Sequence, residues 1–555
     1  MKKIKFKYSW LPIALLSLTA CDINNELEAI PEVETPVVQV DATGLDLSNY
    51  VAVGASFSAG FTDNALFIAA QENSFPNIIS KKFQLAGGGD FVQPLMNDNI
   101  GGLLFGGNMI QGPRLFFNGS GPASLSTLGA VPTTEVTTKL PSTNNNYGVP
   151  GAKSYHFVFG GYGSVNAVPL GQANPYFARF SSSETASILG DAMANQPTFF
   201  TLSEIGGNDV LGYALGGGAG VDQTGNPNAN SYGSADITDP GLFKQIFDTM
   251  VATLTSNGAK GVVGNIPYIT SLAHFTTVPY NPLDPTTNSD LAGQIPLLNS
   301  VYGAINQIYA GAGQPERSIV FSADGPNAMV IYDEDATDLS AAITATLGAS
   351  PTFVPFVQSL GLPAAAAPLV AQLLGQQYGK ARSATENDLF VLTSSSIIGT
   401  VDTTAAANLV AQSGGLLPAT LAGQFSAQGI TLPLADKWVL TPQEQNNIKV
   451  ATDAYNVTIK AAADANGLGF VDFNAILQEA ATSGLNFGDF TMTTNLVTGG
   501  LVSLDGVHLT ARGYGLMANE FLKATDVTYG SNFTLATDGL ANPNDLPTNY
   551  SPMLW

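Results

Sequence analysis

From Asn49 onward, short apolar runs alternate with segments that repeat apolar residues every three or four positions. The runs 50–54, 198–205, 261–266 and 468–473 are rich in β-branched or aromatic residues and end at turn residues, so each is expected to be a strand. Residues 240–257 carry Phe243, Ile246, Phe247, Met250 and Leu254 on one face. Asp239 stands at the N-cap, Pro240 at the first helical position and Gly258 just past the end. Residues 442–465 open with the capping box Thr441-Pro442-Gln443-Glu444 and repeat Ile448, Ala451, Tyr455 and Ile459. Residues 511–523 follow Thr510 with Tyr514, Met517, Ala518 and Phe521. All three segments are predicted helices. This alternation predicts an α/β fold with a parallel sheet covered on both faces.

Two stretches interrupt the pattern. Residues 212–237, rich in Gly, Asn and Ser, are expected to form a long loop. Residues 270–440 hold apolar helical runs such as 352–376 and are expected to be a large, mostly helical insertion, packed as a cap or side lobe on the sheet. The main domain is thus 49–530, with a C-terminal tail over 531–555.

The N-terminus has a different character. Lys2, Lys3, Lys5 and Lys7 precede an apolar stretch from Trp10 to Leu18, which leads into Leu18-Thr19-Ala20-Cys21. The stretch is far short of the ~20 residues a spanning helix needs and fits the apolar region of a signal peptide, residues 1–20. It resembles a bacterial lipobox. The resemblance implies cleavage before Cys21, a lipid on its sulfur, and a membrane lipoprotein of the cell envelope, with the outer membrane as the expected address. Residues 21–48, with Glu26, Glu28, Glu32 and Glu34, read as an acidic tether. Cys21 is the single cysteine, so no intrachain disulfide can form. The net charge of −23 argues against nucleic acid as a partner.

Candidate chemistry lies at the two ends of the domain. Gly54-Ala55-Ser56-Phe57-Ser58-Ala59-Gly60 follows the first predicted strand and presents Ser56 on the turn after it. A serine hydroxyl is a weak nucleophile and needs a base. The chain has three histidines, His156, His274 and His508, and only His508 has an aspartate, Asp505, three residues before it. That spacing lets Asp505 bond the imidazole nitrogen remote from Ser56 and fix its tautomer. Two further blocks lie between: Asn146-Tyr147-Gly148-Val149-Pro150-Gly151-Ala152, a glycine-rich turn, and Gly206-Gly207-Asn208-Asp209, after the strand 198–205. The Ser56 and Gly151 amides and the Asn208 side chain are candidate oxyanion donors, and Asp209 is expected to brace the loop. His156 and His274 lack partners at metal-ligand spacing, so neither metal nor organic cofactor is expected. Bland roles compete with each assignment: Ser56 or Ser58 as a helix cap, Asn208 as a turn residue.

The four blocks, in this order, resemble the SGNH (GDSL-type) hydrolase superfamily over about 49–210, 240–270 and 440–525. The resemblance implies a three-layer α/β/α flavodoxin-like fold and ester hydrolysis through an acyl-enzyme, with Ser56, Asp505 and His508 as the triad and Gly151 and Asn208 in the oxyanion hole. Two positions depart from it: the family aspartate of the first block is Ala55 here, and its leucine is Phe57. That aspartate supports the loop without belonging to the triad. The apolar insertion favours an acyl-lipid or small-molecule ester as substrate. A carbohydrate O-deacetylase and a non-catalytic binding lipoprotein on the same fold are the alternatives.

Overall fold

The computed structural model describes residues 37–555. The signal peptide 1–20, Cys21 and most of the tether lie outside the described residues. Five strands form the central sheet: β1 (Tyr50–Gly54), β2 (Asn146–Gly148), β3 (Phe199–Ser203), β4 (Lys260–Gly264) and β5 (Gly469–Val471). All pairings are parallel, and the spatial order is β2-β1-β3-β4-β5. Ala52 lies opposite both Asn146 and Thr201, which fixes the register at the centre. Every residue of β1 and β3 is buried. That two-sided burial is why their sequences run apolar without alternation.

Strand β2 was not foreseen. Asn-Tyr-Gly has no apolar run, and this edge strand is held by backbone pairing, by the fully buried Tyr147 and by the buried Asn146. Asn146 Nδ2 donates to Ser58 O at 2.7 Å, and its Oδ1 accepts from Gly148 N at 2.9 Å.

The helices that matter to the site are, in chain order, α1 (Ser56–Ala59), α2 (Phe75–Gln84), α3 (Gly207–Leu215), α4 (Pro240–Thr255), α5 (Ser289–Gly311), α6 (Ser340–Ala349), α7 (Ala367–Tyr378), α8 (Pro442–Asn466), α9 (Phe473–Thr482) and α10 (Ala511–Tyr529). α2 packs on α10 through the stacked rings of Phe75 and Phe521, with centroids 5.0 Å apart. α4 packs on α8 through Phe243 and Tyr455, at 4.2 Å. Two helix pairs around a parallel sheet are compatible with a three-layer α/β/α arrangement. The expected caps form: Asp239 accepts from Leu242 N, Thr441 and Glu444 make a reciprocal capping box, and Thr510 accepts from Gly513 N.

The structure corrects several boundaries: the helix expected over 511–523 runs on to Tyr529, and the strand expected over 468–473 spans only Gly469–Val471. The loop expected from 212 begins later, because α3 runs to Leu215 to bury Val210, Tyr213 and Ala214. The strand expected over 198–205 stops at Ser203, because Glu204 turns the chain at a φ of 54°.

The stretch expected as an insertion has a core of its own, with members from Val278 to Val439, including Tyr302, Tyr309 and Tyr378 on α5 and α7. A two-stranded ribbon marks its border with the sheet's core. Leu389–Phe390 pairs antiparallel with Val439–Leu440. Phe390 and Val439 point into the second core, while Val391 and Leu440 join the first. The segment after α10 also folds back: Arg114, fully buried, donates to Ser551 O at 2.7 Å and Leu554 O at 3.0 Å.

Candidate active site

Parallel α/β sheets bind ligands beyond the carboxyl ends of their strands. Five of the sequence-predicted residues, Ser56, Gly151, Asn208, Asp505 and His508, converge on that edge. β1 ends at Gly54, and Ser56 opens α1 two residues later. Ala55 between them adopts φ −98°, ψ −128°, outside both helix and strand. The turn is packed tightly against β2: a Cβ on Gly148 would lie 2.2 Å from Ala59 N, which is why glycine stands there.

His508 comes from the loop before α10. Its Nδ1 is 2.9 Å from Asp505 Oδ2, and Asp505 Oδ1 accepts from the backbone amides of Val507 and His508, both at 2.8 Å. Burial opposes a charge on Asp505, but the imidazole beside it and these hydrogen bonds hold its carboxyl well below the usual range. The imidazole lies against the Ser56 turn: its ring centroid is 5.6 Å from that of Phe57 and 4.6 Å from that of Phe61. Ser56 Oγ itself makes no hydrogen bond to the ring.

The oxyanion candidates meet at the same edge. Val149 N donates to Gly54 O at 2.9 Å, so the chain leaving β2 runs beside the Ser56 turn. Gly151 follows, exposed and at a φ of 79°. Asn208 is the second residue of α3, and its Nδ2 donates one hydrogen to Ala152 O at 3.0 Å, which leaves the other for a ligand. Asp209, fully buried, accepts from Ser154 N at 2.8 Å and Ser154 Oγ at 2.7 Å. Asn208 and Asp209 thereby tie the Gly151 loop to α3. Ser56, Phe57 and Asn208 line an apolar cavity whose far wall is Leu211, Ile269 and Leu477. A second apolar cavity shares Phe57, Glu204, Pro267, Leu477 and Leu509 with it and runs on toward Phe473 and Met517.

Sequence reasoning missed three supporting groups. Glu204 is the first. Its Oε1 accepts from Ser58 N at 2.8 Å, across the gap between β3 and α1. Burial pushes its carboxyl up to about 8, against the opposing pull of hydrogen bonds from the Ser58, Ala55 and Phe57 region. The amides on either side of Ser56 are thus turned toward Glu204. The only signal in the sequence was an acid at the end of an apolar strand. The second is the segment 62–64, where Asn64 N donates to Asp505 Oδ2 at 2.8 Å and Thr62 Oγ1 to Leu509 O at 2.8 Å. The third is His274, whose backbone amide donates to Gly506 O at 2.9 Å and whose Nδ1 lies 3.1 Å from Asp505 O. His156 instead stacks on Tyr162 at 3.8 Å and accepts from Lys153 N at 3.0 Å, a packing role.

Comparison with protein-family models, with curated proteins and with solved structures finds nothing that matches this chain.

Proposed function

We propose that this chain is a serine hydrolase of the SGNH type, on a flavodoxin-like sheet, that cleaves carboxylic esters through an acyl-enzyme. The observation that carries the reading is the Asp505–His508 pair lying against the Ser56 turn, with Asn208 in the same cavity wall. Ser56 Oγ attacks the ester carbonyl carbon while His508 Nε2 takes its proton. The carbonyl oxygen becomes an oxyanion, received by the Ser56 and Gly151 amides and Asn208 Nδ2. Collapse breaks the bond to the alcohol, which leaves with the proton from His508. Water, deprotonated by His508, then attacks the acyl-enzyme and restores Ser56. Asp505 keeps Nδ1 protonated and stabilises the imidazolium. Ser56 and Nε2 come into hydrogen-bond contact as substrate binds, as such pairs commonly tighten in the Michaelis complex.

The apolar cavity beside Ser56 favours an acyl chain, and hence a lipid or other fatty ester, over an acetylated glycan. The lipobox-like N-terminus adds an envelope location through a lipid on Cys21. The test is hydrolysis of p-nitrophenyl acetate, butyrate and octanoate, with fluorophosphonate labelling in parallel. The expected result is turnover that rises with chain length and labelling lost in Ser56→Ala but kept in Ser58→Ala. Labelling that survives Ser56→Ala sinks the assignment.

A further inference from the structure

Away from Ser56, three carboxylates meet where the second core borders the sheet. Glu334 follows the short strand Val330–Tyr332 of the insertion. Asp436 lies in the single turn Asp436–Trp438, and Glu444 in the first turn of α8. One carboxylate oxygen from each lies within 4.8 Å of the others. Calcium binds oxygen at about 2.3–2.6 Å, so two oxygens on one ion lie at most about 5 Å apart. One ion can therefore take all three.

Glu444 is the informative member. It is 1% exposed. Its Oε2 closes the capping box, accepting from Thr441 N at 2.6 Å and from Thr441 Oγ1 at 2.9 Å. Its Oε1 is buried with no hydrogen-bond partner, and so is Asp436 Oδ1. Buried polar atoms are rarely left so. The chain has shaped itself around these atoms. Gly217 and Gly218, just past the end of α3, take φ of 62° and 83°. A Cβ on Gly218 would lie 2.1 Å from Glu444 Oε1, and one on Gly217 2.2 Å from Asp436 O. No salt bridge within the described residues neutralises any of the three acids: Arg382, on the strand paired with Val330–Tyr332, is committed to Asp333 and Asp388, and Lys380 Nζ donates to the backbone oxygen of Glu334.

We propose that Glu334, Asp436 and Glu444 bind one divalent cation of the calcium class, which clamps the insertion to α8 at the end of α3. The donors are all hard oxygens, which favours calcium over zinc or copper. The three acids lie close enough to repel one another. A bound dication removes that repulsion. The ion takes no part in ester cleavage, so the site stands whether or not the reading of Ser56 does.

The test uses the full-length protein stripped with EDTA and titrated with terbium(III), a calcium-sized probe. Trp438, two residues from Asp436, is the expected sensitiser of its emission. One terbium per chain should bind and be displaced by calcium, and calcium should raise the melting temperature. Asp436→Asn and Glu334→Gln should each weaken binding at least tenfold and abolish the calcium-dependent rise. In EDTA, Asp436→Asn should melt above the wild type, because a repelling charge is gone. That opposite sign separates a lost site from a damaged fold. No calcium-displaceable terbium in the wild type overturns the proposal. So does wild-type affinity in both variants.

Discussion

In the proposed reaction Ser56 depends on groups that hold it and on groups that hold its base His508, and the two sets differ in how far the sequence reveals them. Asp505 and His508 are three residues apart, so their pairing was legible from spacing alone. Asn208 and Gly151 were legible as blocks. Glu204 was not, because its contact with Ser58 N spans 146 positions and no local pattern encodes it. In the proposed SGNH reading, Glu204, reaching Ser58 N from the end of β3, stands in for the acid that the family pattern places where this chain has Ala55. Glu204→Ala should lower kcat by about tenfold to a hundredfold, since mispositioning of a reacting group costs on this scale. Restoring the acid locally, as Ala55→Asp in the Glu204→Ala background, should recover most of that loss. A purely structural Glu204 would show no such rescue in stopped-flow acylation rates. Asp505→Asn should cost far more, about 10⁴ in kcat with KM little changed, because the imidazole loses its tautomer control. Asn208→Ala should cost about 10²–10³ in kcat with KM little changed, the signature of an oxyanion donor.

At the scale of elements, what could be read were the segments whose burial leaves a repeating pattern. β1, β3, β4 and β5 and the helices α4, α8 and α10 all carry an apolar run or an apolar face. β2 does not, and it escaped notice because a three-residue edge strand that buries only the side chains of Tyr147 and Asn146 leaves no run to read. Helix α9 was also unmarked, though it walls both cavities beside Phe57 through Leu477. That position makes α9 the gauge of acyl length in the proposed reaction. Leu477 is 7% exposed and faces apolar space, so a larger side chain there fills the cavity with little strain elsewhere. Leu477→Trp should reduce kcat/KM for p-nitrophenyl octanoate at least tenfold and leave acetate hydrolysis within about twofold. Equal losses on both esters would mean that the acyl chain lies elsewhere.

For the whole molecule, pattern reading gave a parallel α/β sheet and a helical interruption but not how the two are joined. The joint includes a long-range contact, the ribbon at 389–390 and 439–440, and near it lie the carboxylates of the proposed cation site. Four acids with raised pKa values make stability fall with alkali. Burial pushes Asp63 and Asp436 up to about 7, and Glu204 and Glu444 up to about 8, from ordinary values of 3.8 and 4.5. A carboxyl whose pKa is raised by folding stabilises fully below its unfolded value. The folded state then binds protons that the unfolded state has released, so stability drops as pH rises toward the folded value. Asp505, shifted the other way, matters only below its ordinary 3.8. In EDTA the melting temperature should therefore fall from pH 5 to pH 8, most steeply above 6.5, because burial holds the His156 imidazole down to about 3 and lowers His274, and both pull the other way below that pH. General repulsion at a net charge of −23 pulls in the same direction, but salt screens it and leaves the buried acids almost untouched. The measurement is the pH slope of the melting temperature in 0.5 M sodium chloride. Glu204→Gln should flatten part of it, and calcium should flatten the part due to Asp436 and Glu444, since an ion bound there favours their charged forms. A slope that vanishes in salt alone would assign the effect to surface charge and remove the buried acids from the account of stability.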